Sequence, residues 1–568
     1  MTTTKSSRQV ARRLVPVPVA IAAVVTLAAF APASAATGST AGGSGSWSGG
    51  KAPIAPVARA DSYHAQQGHS LDVPAEFGLF RNDSGSPLQV VANSQPLHGA
   101  VSVKSDGSFS YTPTAGFTGT DSFTYTETNA VQLYTAHLPS LGTYGGVSIN
   151  AAGYGSSLYP VPGSSNEFYG LEDRGPNVSA PNGDGVLPIP SFDPAIGKFL
   201  FVDGKAVLQK SIPLKDSTGH PYSGRVNSQN PTGETLVDLN GNVLPTDPNG
   251  YDSEGLVALP DGTFWVSDEY GPFITHFDKF GKAISRLSPF DGTLPAELAH
   301  RVPNRGLEGL TITPDGKTLV AIMQSSLQQT DLNGANPKKL TPLRIVTYSV
   351  KTHVEHEYLY LLDNPATTGT AVSEITALSS TTFIVDERDG NFPGVGVYKK
   401  LWKINISGAT DIGPASTVVG ATYDAAHGGL LVGGKSIELL VEGQDTATSQ
   451  ATLEAAGITP VTKSLELDVN ALLLQLAPNA TFYSHDKIEG VAAIDGGTKL
   501  VISNDSDFGI DGTVNSAPPY ILHEKVSPTT GVQDNGEYLV IDLKKLPAAT
   551  STATVTIQVS AAGGPHQH

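Results

Sequence analysis

From Ser253 to Glu269 the chain carries an acidic residue, then a short apolar run, Leu256-Val257-Ala258-Leu259. A Pro260-Asp261-Gly262 break follows, then a second apolar run, Phe264-Trp265-Val266, and a closing Asp268-Glu269. Apolar runs this short, separated by a Pro/Asp-Gly break, predict two antiparallel strands joined by a hairpin. The pattern returns from Leu307 to Val320 and from Ile488 to Asp505, and in shorter form from Ser373-Glu374-Ile375 to Phe383-Ile384-Val385-Asp386-Glu387. The leading glutamates, Glu254, Glu308, Glu374 and Glu489, are 54, 66 and 115 residues apart, and the last step reads as two repeats. A degenerate earlier unit runs from about Tyr144 to Pro176. Hairpin repeats of roughly 40–70 residues predict a β-propeller, in which each blade covers its neighbour's apolar face. Residues 133–547 are enough for six or seven blades.

Ahead of the repeats, over residues 56–130, short strands alternate with turns at the spacing of a small β-sandwich. Ala60-Asp61-Ser62-Tyr63, Arg81-Asn82-Asp83, Ser108-Phe109-Ser110-Tyr111-Thr112-Pro113 and Asp121-Ser122-Phe123-Thr124-Tyr125 resemble bacterial Ig-like, cadherin-like modules. The last strand of such modules is missing after Tyr125. A segment of that form appears instead at Thr552-Ala553-Thr554-Val555-Thr556-Ile557-Gln558-Val559, so residues 550–561 are expected to complete the sandwich, with the large domain inserted in it.

Composition agrees with an all-β chain: 61 Gly and 40 Pro in 568 residues imply many turns. Arg8, Arg12 and Arg13, an apolar run to Phe30 and Ala33-Ser34-Ala35 read as an export signal over residues 1–35. Residues 36–55 are Gly/Ser-rich and read as a linker, so the mature protein is expected outside the cell. A net charge of −18 disfavours nucleic acid and anionic membrane as partners. The absence of cysteine excludes disulfides, thiol nucleophiles and Cys-based zinc sites.

Equivalent positions of successive blades form a ring, so the repeated glutamates are expected to converge. Carboxylates held together repel unless a cation joins them, and oxygen ligands without sulfur favour Ca²⁺ or Mg²⁺. The expected metal ligands are Glu254, Glu308, Glu374 and Glu489, with Asp268, Glu269, Asp386, Glu387 and Asp505 at the repeat ends. Arg174 and Arg388 are candidate clamps for an anionic substrate, because a guanidinium binds phosphate through two parallel donors.

Phe168-Tyr169-Gly170-Leu171-Glu172-Asp173-Arg174-Gly175-Pro176, Asp252-Ser253-Glu254-Gly255-Leu256, Asp268-Glu269-Tyr270-Gly271-Pro272, Asn304-Arg305-Gly306-Leu307-Glu308-Gly309-Leu310, Asp386-Glu387-Arg388-Asp389 and Lys487-Ile488-Glu489-Gly490-Val491 together resemble the family called esterase-like activity of phytase. The resemblance implies an exported phosphoesterase acting on a small phosphorylated substrate. Its chemistry is expected to be metal-assisted, with Glu254, Glu308, Glu489, Arg174 and Arg388 as catalytic groups. A lactonase or carboxylesterase on the same scaffold is one alternative. A non-enzymatic binding protein is another, with the Ig-like module contacting a cell surface or glycan.

Overall fold

The computed structural model describes residues 54–231 and 233–561. The expected export signal and most of the expected linker lie outside the described residues. The described chain is mostly strand, with few and short helices.

Each repeated hairpin folds as the sequence predicts. Ser253–Ala258 pairs with Phe264–Asp268 around a tight turn, in which Gly262 adopts a φ of 88° and Asp261 Oδ1 accepts from Thr263 N at 2.9 Å. Two more strands, Ile274–Phe277 and Ala283–Leu287, complete a four-stranded antiparallel blade. Among the described residues there are five such units. In chain order of their inner strands, blade I is Ser157–Pro160, Glu167–Leu171, Ala195–Val202 and Lys205–Pro213, and blade II is the one just described. Blade III is Leu307–Ile312, Thr318–Met323, Pro342–Ser349 and Glu355–Leu361. Blade IV is Ala371–Ala377, Thr382–Arg388, Lys399–Asn405 and Thr462–Asp468. Blade V is Ile488–Ile494, Lys499–Asn504 and Glu537–Asp542, closed on its outer edge by the early strand Val131–Ala136.

The inner strands touch in cyclic order, I to II to III to IV to V and back to I, which makes the units a closed propeller ring. A separate apolar cluster fills each of the five seams: Leu171, Ile196, Leu256 and Val266 between I and II, for example, and Val320, Ile345, Ile375 and Val385 between III and IV. The expectation of six or seven blades is therefore too high. The 115-residue step after Glu374 holds a single blade, because residues 406–461 leave it after its third strand and return as its fourth. Residues 172–252 likewise carry a small sheet of Val178–Ser179, Gly185–Val186 and Leu236–Val237 that belongs to no blade. Insertions lengthen the repeat without adding a blade.

Residues 54–128 form two sheets packed over Val73, Phe109, Tyr111, Phe123 and Tyr125. The strand Thr550–Ser560 lies in one of them, antiparallel to Gly119–Thr128 and parallel to Asp61–Gln66. It contributes Val555, Ile557 and Val559 to the core.

Candidate functional site

At one end of the ring the inner strands begin and the second strands finish, and there all five blades bring charged side chains together. Asp252 and Glu254 are two residues apart along the start of an extended strand and so point the same way. Glu269 joins them because Ser253 pairs with Asp268, one residue before it, and Glu269 N donates to Asp252 O at 2.9 Å. The three buried carboxylates offer ligand atoms that all lie within 4.8 Å of one another. From blade III comes Glu308, buried, with Oε1 accepting from Gln324 at 2.7 Å and Oε2 without a hydrogen-bond partner. Glu269 Oε1 is likewise buried and unpartnered. Blade V supplies Glu489, whose Oε1 accepts a hydrogen bond from the Arg388 guanidinium of blade IV.

The glutamates are gathered by a shared feature of the inner strands. Glu254, Glu308 and Glu489 each precede a glycine at an irregularity in strand pairing. A Cβ on Gly255 would meet Leu310 N at 2.5 Å, one on Gly309 would meet Ile375 N, and one on Gly490 would meet Leu158 N at 2.6 Å. The glycine thus lets the neighbouring inner strand approach and brings its blade's glutamate in toward the others. Glu374 stands one register further on, where the other blades have that glycine. Its carboxylate accepts from Ser157 Oγ at 2.6 Å, Leu310 N at 3.1 Å and Ile375 N at 2.9 Å, pinning three inner strands together apart from the other glutamates.

The remaining predicted ligands also divide. Asp268 accepts from Asp252 N, Tyr270 N and Gly271 N and so shapes its loop. Glu387 is held by Tyr360, Asp363 N, Thr370 and Lys463. Asp386 is buried with both oxygens unpartnered, its nearest cations being Arg388 and Lys399. Asp505 accepts from Lys487 at 2.8 Å within a network that also holds Asp507 and Lys525.

Burial dominates the electrostatics. It lifts Glu308 to about 7 and Glu489 to about 8, and pushes Glu254 and Glu269 well above the carboxylate range, with Glu308 the next largest influence on both. Burial beside Arg388 also pushes the Lys399 ammonium down to about 8. Carboxylates this crowded and dry need protons or a cation. The orphaned oxygens of Glu269 and Glu308 and the all-oxygen donor set fit a hard divalent cation, held by Asp252, Glu254 and Glu269.

The three arginines differ. Arg174 is used up by Tyr270 OH at 2.5 Å, Asn177 Oδ1 at 2.9 Å and Asp252. Arg388 is shared between Ser373 Oγ and Glu489. Arg305 lies more loosely among Glu269, Glu308 and Arg388, with burial lowering its pKa. Asp252 and Arg305 are site residues that the repeat does not reveal. Both stand inside motifs that carry the family resemblance, two or three residues before a repeated glutamate, but neither is among the expected site residues.

The family whose description is esterase-like activity of phytase matches residues 151–508, and a bacterial Ig domain matches residues 53–137. An uncharacterized secreted protein of Arthroderma benhamiae is 32% identical over 180 residues, covering 25% of this chain and 34% of that protein, so the chain spans about a third of this relative. Among solved structures, the calcium-binding protein regucalcin from Agrobacterium tumefaciens has 10% identity, covers 72% of this chain and 96% of its own, and superposes with a TM-score of 0.26. Virginiamycin B lyase from Staphylococcus aureus has 14% identity, coverages of 72% and 98%, and a TM-score of 0.24. Superpositions this loose leave the fold to be read from its own strand pairing.

Proposed function

Because this chain belongs to the family described as esterase-like activity of phytase, we propose that it is an exported, metal-dependent hydrolase of small phosphate esters. The observation that carries the reading is the convergence of Asp252, Glu254 and Glu269 within 4.8 Å, beside the free Oε2 of Glu308 and the loosely held Arg305. These three carboxylates would hold Ca²⁺ or Mg²⁺, which when bound neutralises phosphoryl oxygens and lowers the pKa of a coordinated water.

The chain's own groups do the rest. Arg305 and Arg388 orient the phosphate through parallel N–H donors. Glu308 accepts the proton of the attacking water as the new phosphorus–oxygen bond forms. The bond from phosphorus to the ester oxygen breaks, and Glu489, in its protonated form, returns a proton to the leaving alkoxide. Arg174 serves by fixing Asp252 and the loop of Tyr270. Export is supported by the amino-terminal signal pattern and by the secreted relative.

A carboxylic ester is the second reading, favoured by the family's own description as esterase-like. Assays of p-nitrophenyl phosphate, phytate and p-nitrophenyl acetate, each with Ca²⁺ and with chelator, separate the two. Phosphate release that stops in chelator and returns with Ca²⁺ is expected. Turnover of the acetate alone would favour the second reading, and no turnover by metal-loaded protein would leave a binding protein.

A further inference from the structure

The sandwich contains a carboxylate with nothing to balance it. Glu127, near the end of the strand Gly119–Thr128, is 0% exposed, and among the described residues no donor reaches either of its side-chain oxygens, which meet only the carboxylate of Asp83 at hydrogen-bonding range. It faces Asp83, and Asp61 is close by. Asp83 accepts from Tyr125 OH at 2.7 Å and Arg59 N at 2.6 Å, and Asp61 Oδ1 accepts from Asn82 at 3.1 Å, while Asp61 Oδ2 is buried and unpartnered. None of the main influences on Glu127 or Asp61 is a positively charged side chain. Burial, then Asp83, raise Glu127 to about 8 and Asp61 to about 6. An ionised carboxylate in such a setting is costly by several kcal/mol without a counter-charge, and buried polar groups left unpaired are rare in native proteins.

We propose that Asp61, Asp83 and Glu127 form a second divalent-cation site, separate from the propeller and taking Ca²⁺ through oxygen ligands alone. Three segments distant in sequence meet there: the first strand of the sandwich, the turn at Arg81-Asn82-Asp83, and the strand that runs through Asn129 into the ring-closing strand Val131–Ala136. Glu127 also pairs with Ser551 of the C-terminal strand and Asp61 with Val555. A cation at this point therefore ties both crossings between sandwich and ring to the sandwich's first strand. The inference is independent of what the propeller hydrolyses.

The test is calcium counting by equilibrium dialysis on the full mature chain, comparing wild type with Glu127→Gln and Asp61→Asn. Each variant is expected to lose one bound Ca²⁺ per chain and to lose the Ca²⁺-dependent rise of the sandwich's own melting transition, with the propeller's transition and turnover retained. Terbium emission excited through tyrosine is expected to fall in Tyr125→Phe. An unchanged calcium count in Glu127→Gln would overturn the proposal. So would a sandwich whose stability responds to pH between 6 and 8 but not to Ca²⁺, because a shared proton would then balance the pair. Should both variants misfold, hydrogen exchange of wild-type Asp61–Gln66 and Gly119–Thr128 decides: slower exchange in Ca²⁺ supports the site, and equal exchange removes it.

Discussion

Gly309 sits where a side chain would run into the backbone of the next blade at Ile375. Gly309→Ala forces the two inner strands apart, and overpacking of this kind costs about 1–3 kcal/mol. A lowered denaturant midpoint, with activity reduced because Glu308 moves with its strand, is the expected outcome. Arg305 and Arg174 predict different results from the same substitution. Arg305→Ala removes a donor aimed at developing charge and should lower kcat by on the order of 10²–10³-fold with little change in melting. Arg174→Ala leaves Asp252 and Tyr270 without their partner and should lower the melting temperature as well. At this scale the sequence was informative where the repeat spoke: Glu254, Glu308 and Glu489 occupy one repeat position and meet. It misled at Glu374, because a one-residue change of register is invisible in a pattern of apolar and acidic letters. It displayed Asp252 and Arg305 within family-like motifs but gave them no role, because their importance comes from pairing across strands rather than from recurrence.

At the scale of elements, hairpins were legible and their number was not. A strand followed by Pro/Asp-Gly and another strand has a local cause, whereas residues 406–461 leave blade IV between two of its own strands and only spatial pairing reveals the return. The C-terminal strand carries a prediction of its own. Val555, Ile557 and Val559 are almost fully buried among Phe109, Phe123 and Tyr125. Removing residues 550–568 should expose that core and abolish the sandwich's cooperative unfolding, while the propeller transition in calorimetry survives. Retention of both transitions would show that the sandwich holds without the strand.

The whole molecule depends on pH in a direction set by its buried acids. Glu308 and Glu489 titrate at about 7 and 8 in the fold against an ordinary 4.5, so the folded chain holds more protons than the unfolded one between those values. Stability of the metal-free protein must therefore fall as pH rises from about 4.5 to 8. Scanning calorimetry in chelator should show melting temperature declining over that range, and Ca²⁺ should flatten the decline by supplying the charge that protons supplied. A metal-free protein whose melting rises with pH would contradict the site's electrostatics.

The pairing of Gly119–Thr128 with Thr550–Ser560 has a consequence in time as well as in space. The two strands are separated by more than 420 residues of intervening chain. A polypeptide emerging from its amino end has the front of its sandwich in hand early, yet cannot finish that sandwich until the entire ring has been delivered. The first domain begun is thus the last completed, and the closing of its final strand reports that everything between has arrived.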